Sequence, residues 1–372
     1  MTQSFEDTIV VEATITDELK RQQIKLSRTF PLEGESIFEN NANVRIEDSN
    51  NNVYSFTNAN EGVYYSDNEF RAETGISYKL IVETQDGRRY MSNNEILPGS
   101  AQIERVYAEL VVLNGKEGVQ VLVDTNDNLG NANFFRYEYE ETYQIVAKHF
   151  YPFDLVISDV TGSGDTIEYS LRTESRPENQ RVCYLSSNSN EIIITSSNGL
   201  AEQKISQFPV RFISADDDII RDRYSILVKQ YVQSADANNY YKVLRNLSSD
   251  ESLLVDKQPG FIQGNVFSLN DVNEKVIGFF EVSSVTSKRI FFNYEDFGLL
   301  IPPYFVPCNI SVWRYASVGP PVNERLRLYE DIVENGYKYF GMEEEGEYSV
   351  VRPECGDCTS FASNVKPDFW ED

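Results

Sequence analysis

The chain has 372 residues, of which 41% are hydrophobic and 13% aromatic, and this length suits roughly two or three domains with separate cores. Its 59 acidic residues against 33 Lys and Arg give a formal net charge of -26. A surface this acidic repels phosphate backbones and anionic lipid headgroups, which argues against nucleic-acid binding. We find no apolar run of about eighteen residues that would make a transmembrane helix.

The first hundred residues predict a β-sandwich. Short segments with period-two alternation or β-branched runs follow one another, at residues 8–15, 24–30, 44–46, 53–56, 63–65, 78–83 and 89–91. Asp86-Gly87 predicts a hairpin between the last two, because both residues tolerate a positive φ. About seven strands at this spacing are typical of an immunoglobulin- or transthyretin-like sandwich. We therefore expect a first domain over residues 1–98, followed by a linker at Leu97-Pro98-Gly99-Ser100.

A second, larger β-domain of the fibronectin type is expected over residues 103–319. Val106 to Val112 and Val119 to Val123 predict two strands that turn at Asn114-Gly115. The run Phe135 to Glu140 alternates aromatic and charged residues, so that the two kinds lie on opposite faces of a strand. Further strands are predicted at residues 192–194, 210–213, 224–231, 276–285 and 289–292.

Two short helices interrupt this predominantly β pattern. Ser234 and Asp236 can cap a helix inserted near residues 234–248, whose apolar face would contain Tyr240, Val243, Leu244 and Leu247. Pro320-Pro321 can begin a second helix that ends at Gly336, with an apolar face made of Val322, Leu326, Tyr329 and Val333. We expect this second helix and the cysteine-containing tail, residues 320–372, to pack on the second domain.

Four cysteines, Cys183, Cys308, Cys355 and Cys358, favour two disulfides in an extracytoplasmic protein, with three connectivities open. The rival is a metal or redox site on the C-x-x-C pair. Zinc would need two further ligands, and the only histidine, His149, is distant in sequence. A thioredoxin-like motif opens a helix after a strand, whereas this pair lies in an irregular tail. If Cys183 and Cys308 each bridge to one member of the pair, the tail is stapled across the second domain.

The sequence predicts no catalytic residues, no metal site and no cofactor. A single histidine removes most nucleophilic triads, and no nucleophile elbow, phosphate loop or dinucleotide fingerprint is present. A glycosidase remains the alternative, because it needs only two carboxyl groups. The loop from Asp124 to Gly130 departs from an EF-hand, since Phe135 stands where a bidentate Glu is required. Asp216-Asp217-Asp218 indicates a solvated loop, with weak structural calcium as the alternative.

Two aromatic loops offer candidate contacts with a partner. They are Phe150-Tyr151-Pro152-Phe153 and Ile301-Pro302-Pro303-Tyr304-Phe305, and the candidate contact residues are Phe150, Tyr151, Phe153, Tyr304 and Phe305. If exposed, these rings would form apolar docking patches; burial in a core is the alternative. Phe369-Trp370 is expected to anchor the tail on a domain.

Segments along nearly the whole chain resemble a family of Bacteroidota outer-membrane lipoproteins catalogued as domain of unknown function 4249. They are residues 9–16, 26–29, 137–143, 181–184, 227–231, 258–259, 264–266, 277–280 and 288–291, with the most distinctive at 353–358 and 366–370. The family has no established activity. Its members carry a lipoprotein signal that ends in a lipidated cysteine, and they are often encoded beside TonB-dependent transporters.

The resemblance implies a lipid-anchored outer-membrane protein, exposed at the cell surface or on the periplasmic face. Its implied role is that of a non-catalytic accessory or ligand-capturing subunit of a TonB-dependent transporter barrel. The alternative is a free-standing adhesin that binds surface glycans. No lipobox cysteine is present, so we expect this chain to lack its leader and lipid anchor. Gln3, Glu6 and Asp7 resemble the surface-export signal of such lipoproteins.

Overall fold

A computed structural model describes residues 8–29, 37–127, 130–198, 204–248, 262–319, 321–342 and 344–371. Some residues named above lie outside these ranges, namely Gln3, Glu6, Asp7, Phe30, Gln258, Pro259 and Pro320. The described chain is mainly β, with several sheets and a few short helices, which confirms the predicted class and its β-sandwich type of packing.

The strands of the N-terminal part follow the predicted order. They are β1 (Ile9–Thr16), β2 (Gln23–Arg28), β3 (Ile37–Phe38), β4 (Asn43–Asp48), β5 (Val53–Asn60), β6 (Val63–Ser66), β7 (Ser77–Glu83), β8 (Arg89–Ser92) and β9 (Glu95–Ile96). Gly87 has a φ of 84° in the turn between β7 and β8, as the Asp-Gly signal predicts.

The middle of the chain contains longer strands and one helix. They are β10 (Gln102–Leu113), β11 (Lys116–Asn126), β12 (Phe134–Val146), β13 (Phe153–Thr161), β14 (Glu168–Ser175), β15 (Val182–Asn188), β16 (Ile193–Ser196), β17 (Ile205–Ser214), β18 (Tyr224–Gln233) and α1 (Ala235–Ser248). Asn114 and Gly115 both have positive φ in the β10–β11 hairpin, which confirms that predicted turn.

The last part of the chain alternates strands with short helical segments. They are β19 (Val266–Ser268), β20 (Val276–Phe292), β21 (Ser311–Arg314), α2 (Glu324–Tyr329), β22 (Lys338–Gly341), β23 (Glu347–Val351) and α3 (Pro353–Gly356). A π turn, Glu330–Glu334, follows α2. The 3₁₀ turns are Gly164–Thr166, Glu178–Gln180, Asp218–Ile220, Tyr294–Phe297 and Cys358–Ser360.

A first sandwich is formed by β1 to β9 together with β19 and the first half of β20. β1 pairs with β2 on one side and lies parallel to β20 on the other, from Ile9 opposite Val276 to Thr16 opposite Ser283. Alternate residues of β1 are buried in this core, and the intervening ones face away from it. This core is therefore not confined to residues 1–98, because it also contains Val266, Val276, Phe280 and Val282.

β20 joins the first sandwich to the second. Its first half pairs with β1, and its second half, from Ser284 onward, pairs antiparallel with β18. The prediction of separate strands at 276–285 and 289–292 was wrong, since one strand of 17 residues covers both. Polar residues near Ser287 resemble a turn in the sequence, but they remain extended because β18 supplies continuous hydrogen-bond partners there.

The second sandwich packs the sheet β10-β11-β17 against β12, β18 and the second half of β20. Val119, Val121 and Val123 of β11 meet Phe135 and Tyr137 of β12 in its core. The aromatic face predicted for Phe135 to Glu140 therefore faces this core. The opposite face carries Arg136 and Glu138.

A third, smaller unit lies outside both sandwiches. The β13–β14 hairpin, the sheet β21-β23-β22 and α2 share a core in which Leu155, Leu328, Tyr339 and Val350 are buried. The predicted apolar face of the second helix was wrong: Val322 and Val333 are exposed and Leu328 is buried. The helix is only six residues long, and the π turn after it shifts the phase of the side chains.

Two disulfides hold the tail. Cys183 bonds Cys358 at 2.01 Å and Cys308 bonds Cys355 at 2.06 Å, so each earlier cysteine pairs with one member of the C-x-x-C pair. The expectation of two disulfides is confirmed, and the cysteines are not available to bind zinc. Beyond them Trp370 is buried against Tyr184 and Phe291, at ring distances of 4.9 and 5.6 Å.

Candidate functional site

A cleft of about 730 Å³ lies where β20 passes from the first sandwich to the second. One wall is the outward face of β1, β2 and β20, and the other is the outward face of β12 and β18. α1 covers one end, and the loop Ser189 to Ile192 lies at the rim. The cleft is therefore lined mainly by strand residues.

The first wall is set by strand register. Along β1, Val10, Glu12 and Thr14 face the cleft, because the odd-numbered residues between them are buried in the first core. Glu12 lies opposite Lys25 of β2 on one side and opposite Phe279 of β20 on the other. A carboxylate, an ammonium group and an aromatic ring thus lie side by side.

The second wall also combines acidic, basic and aromatic side chains. Arg136 of β12 lies opposite Tyr231 of β18, and Glu138 lies opposite Lys229. All four residues line the cleft. The Glu138 carboxylate accepts a hydrogen bond from the Tyr231 hydroxyl at 3.0 Å and also pairs with Arg136.

The floor of the cleft is a buried arginine held between two tyrosine rings. The Arg136 guanidinium carbon is 4.3 Å from the ring centre of Tyr231 and 4.9 Å from that of Tyr241. Its Nη2 donates to Glu281 at 3.2 Å, and Glu281 is only 1% exposed. The Arg136 Nε is buried without a hydrogen-bond partner among the described residues. Two cation–π contacts and two carboxylates thus fix this guanidinium.

Electrostatics keep this group charged despite its burial. Burial opposes the charge of Arg136, but Glu281 in particular holds its pKa well above the ordinary value. Burial raises the pKa of Tyr231, with Glu138 adding to the effect, and burial also raises the pKa of Tyr241. Both phenols are therefore neutral at physiological pH and keep their hydroxyl hydrogens.

α1 is positioned over the cleft by its cap and by the same polar network. Ser234 Oγ accepts from the Ala237 backbone N at 3.1 Å, which confirms the predicted cap. Tyr240 packs on Phe279 with ring centres 5.5 Å apart. Gln233 donates to Glu281 at 3.1 Å and accepts from Asn238 at 3.0 Å, which connects the helix to the arginine floor. Val243, predicted on the packed face, is exposed.

The carboxyl groups with raised pKa lie away from the cleft. Burial raises the pKa of Asp17, Glu95, Asp218 and Asp222. None of the four lines the cleft.

The two oxygen-rich loops bond within the protein. Asp124 pairs with Arg105 at 2.6 Å and accepts from the Gln207 backbone N at 2.7 Å. Asp217 caps the turn at Ile219, and the Ser214 hydroxyl donates to Asp216. Within the described ranges, no group of three or more His, Cys, Asp or Glu is placed to hold a metal ion.

None of the candidate contact residues from the sequence lines the cleft. Phe150 packs beside the Cys183–Cys358 bridge, and Tyr151 packs in the third core. Phe153 is 41% exposed and Phe305 is 37% exposed. Tyr304 donates through its hydroxyl to the Glu354 carbonyl at 2.9 Å. Their role as partner contacts stays a prediction.

His149 lies in the same region. Its Nε2 is 3.3 Å from the Cys308 carbonyl oxygen, and its ring contacts Phe340 with centres 4.8 Å apart. Burial lowers the pKa of His149, so the imidazole is neutral at physiological pH. These contacts give it a packing role at the disulfides.

The residues of the cleft were missed by reasoning from the sequence. The alternation in Phe135 to Glu140 predicts which side chains share a face, yet it does not reveal that Arg136 is covered. The available signal was Arg136 in the middle of a Tyr-rich strand, since a buried arginine requires a carboxylate partner. That partner, Glu281, lies 145 residues further along the chain.

The fold and the cleft define a mainly β protein of linked sandwich-type units that is stapled by two disulfides. Residues 1–289 match the family model described as Domain of unknown function (DUF4249), and the chain belongs to that family. The match ends within β20, so it includes the β13–β14 hairpin of the third core, whereas β21, β22, β23, α2 and the tail follow it in sequence. A search among curated proteins finds no match. None of the described helices has the length and apolar character needed to cross a membrane.

Proposed function

We propose that this protein captures a small ligand in the cleft and serves as a non-catalytic, lipid-anchored accessory subunit of a TonB-dependent transporter at the outer membrane. The observation that carries the proposal is the cleft itself, a ligand-sized space whose floor is fixed before any ligand arrives. Its volume of about 730 Å³ lies within the range of small-molecule sites, roughly 300–1,000 Å³.

The chemistry of the lining supports reversible binding. Tyr65, Tyr231, Tyr240 and Tyr241 line the cleft. Tyrosine presents a rigid aromatic surface with a polar end and loses little conformational entropy on binding. Arg136 and its carboxylate partners hold two of these rings in place. Such preorganisation lowers the free-energy cost of binding, because the site does not have to become ordered.

The cleft gives the glycosidase alternative little support. Glycoside hydrolysis uses two carboxyl groups about 5–10 Å apart, and its acid needs a raised pKa. The acidic residues that line the cleft are Glu12, Glu138 and Glu191. Glu138 is bound to Arg136 and Tyr231, contacts that give it a structural role at the floor of the cleft.

The proposed place at a transporter rests on family membership and on the resemblance to lipoproteins encoded beside TonB-dependent transporters. Large exposed side chains outside the cleft offer surfaces for such a partner, including Leu300 at 89% exposure and Val112 at 70%.

The transporter part of the proposal is tested by purifying the tagged full-length protein from detergent-solubilised native membranes. We expect a β-barrel transporter to co-purify. A lipoprotein recovered alone would contradict the subunit role and favour the free-standing adhesin.

The capture part is tested by native mass spectrometry of the same preparation. We expect the wild type to carry a bound small molecule and Glu12→Trp to lose it, because the indole fills the middle of the cleft. Glu109→Trp is the matched control, since Glu109 is an exposed strand residue outside the cleft. Equal ligand occupancy in the wild type and both variants would contradict capture in this cleft.

A further inference from the structure

We propose that the ligand of the cleft is an anion, a small molecule whose carboxylate or phosphate groups are bound by the ammonium groups of Lys25 and Lys229. This inference rests on the proposed capture function and names the ligand class of the same site. Lys25 comes from β2 of the first sandwich and Lys229 from β18 of the second.

The balance of charge in the cleft is opposite to that of the chain. Acidic residues outnumber basic ones 59 to 33 in the whole protein. Among the residues that line the cleft the basic side chains are in excess, with Lys20, Arg21, Lys25, Arg136 and Lys229 against Glu12, Glu138 and Glu191. The lining of the cleft is therefore much less acidic than the protein as a whole, which lowers the electrostatic cost for an anion that enters it.

Some of these cations already form ion pairs within the protein. Lys20 pairs with Glu18 at 2.5 Å, and Arg136 is neutralised by Glu138 and Glu281. Lys25 and Lys229 differ, since neither forms an ion pair or a side-chain hydrogen bond with any residue that the structure describes. These two ammonium groups are therefore available to a ligand.

The register explains why Lys229 has no partner among the described residues. Glu138 lies directly opposite it across β12 and β18, where oppositely charged side chains usually pair. Its carboxylate instead binds Arg136 and Tyr231. Arg136 thus binds the Glu138 carboxylate that would otherwise neutralise Lys229.

The apolar part of the cleft accommodates the body of such a ligand. Phe279 lies beside Glu12 and packs against Tyr240 of α1, and Leu244 and Ile277 also line this end. A ligand with a charged head and an apolar or flat body would place its head against one of these lysines. Its body would lie under α1.

The test uses two fluorescent probes that differ by one anionic group. 1-Anilinonaphthalene-8-sulfonate carries a sulfonate, and N-phenyl-1-naphthylamine has the same rings without it. Each is titrated into the folded full chain and into Lys25→Gln/Lys229→Gln. We expect the double variant to bind the sulfonate about tenfold more weakly and the neutral probe within about twofold of wild type. Glu12→Gln, which removes a negative charge, is expected to bind the sulfonate more tightly.

Lys148→Gln/Lys242→Gln is the matched control, because both lysines are exposed and lie outside the cleft lining. It should bind both probes as the wild type does. Displacement of the sulfonate probe by citrate indicates a carboxylate ligand, and displacement by a hexose phosphate indicates a phosphate ligand. Either result supports the proposal.

The outcomes separate this inference from the capture function. If Glu12→Trp blocks both probes while Lys25→Gln/Lys229→Gln weakens neither, the cleft binds ligands and the anion inference is wrong. If Glu12→Trp blocks neither probe, the capture function fails with it. Circular dichroism matching the wild type establishes that each variant is folded.

Discussion

Replacing Arg136 by methionine is expected to lower the free energy of unfolding by about 3–5 kcal/mol, the usual loss when one partner of a buried ion pair is removed. Arg136 is 7% exposed and its partner Glu281 is 1% exposed. Methionine fills similar space, so lost volume contributes little. The dominant effect is a carboxylate left in the protein interior, whose remaining donors among the described residues are the Gln233 amide and the Ser283 hydroxyl.

The contribution of the pair itself is measured by a double-mutant cycle with Glu281→Gln. The glutamine removes the charge that the guanidinium balances. We therefore expect Arg136→Met/Glu281→Gln to be more stable than the sum of the single losses predicts, by about 2 kcal/mol. Urea unfolding followed by far-ultraviolet circular dichroism reports the whole sheet and gives all four free energies.

Arg136→Lys separates charge from geometry. Lysine keeps the positive charge but lacks the flat face that lies against Tyr231 and Tyr241, so an intermediate loss is expected. A coupling energy below about 0.5 kcal/mol, or a loss for Arg136→Met no larger than for an exposed arginine, would refute the reasoning.

Three further predictions concern the tail and pH. Cys183→Ala/Cys358→Ala opens the disulfide that spans 175 residues and should lower the free energy of unfolding by about 5 kcal/mol. Opening the Cys308–Cys355 disulfide, which spans 47 residues, should lower it by about 4 kcal/mol, and urea unfolding measures both losses. Trp370→Ala should cost about 3 kcal/mol and make the tail more sensitive to limited proteolysis. Burial raises the pKa of Glu95 above 4.5, so the folded state loses stability as the pH rises from 4.5 through the raised pKa. Glu95→Gln should therefore gain stability relative to wild type as the pH rises above 4.5.

Each of these three predictions has a control or a result that would contradict it. For the bridges, a larger loss for the shorter one would oppose the loop-entropy argument. Phe369→Ala, at a half-exposed neighbour, should affect proteolysis less than Trp370→Ala, and equal effects would show that burial of the indole does not anchor the tail. For Glu95, parallel pH profiles of variant and wild type would show that its burial does not raise the pKa.

Local patterns in the sequence determined the elements of this protein. Period-two alternation located most strands of both sandwiches, because the side chains of a strand alternate between a core and another face. Asp86-Gly87 and Asn114-Gly115 located hairpins because those turns need positive φ. Ser234 located the start of α1 through its cap. The even cysteine count indicated disulfides.

Only the tertiary structure decided how these elements combine. Ile9 lies opposite Val276, and Arg136 meets Glu281, across separations that leave no periodic trace in the sequence. Alternation reveals which residues share a face, but whether that face is open to water depends on what another part of the chain places over it. The arginine floor, the cleft and the change of partner along β20 all depend on such long-range pairing, whose energy comes from contacts that exist only in the folded chain.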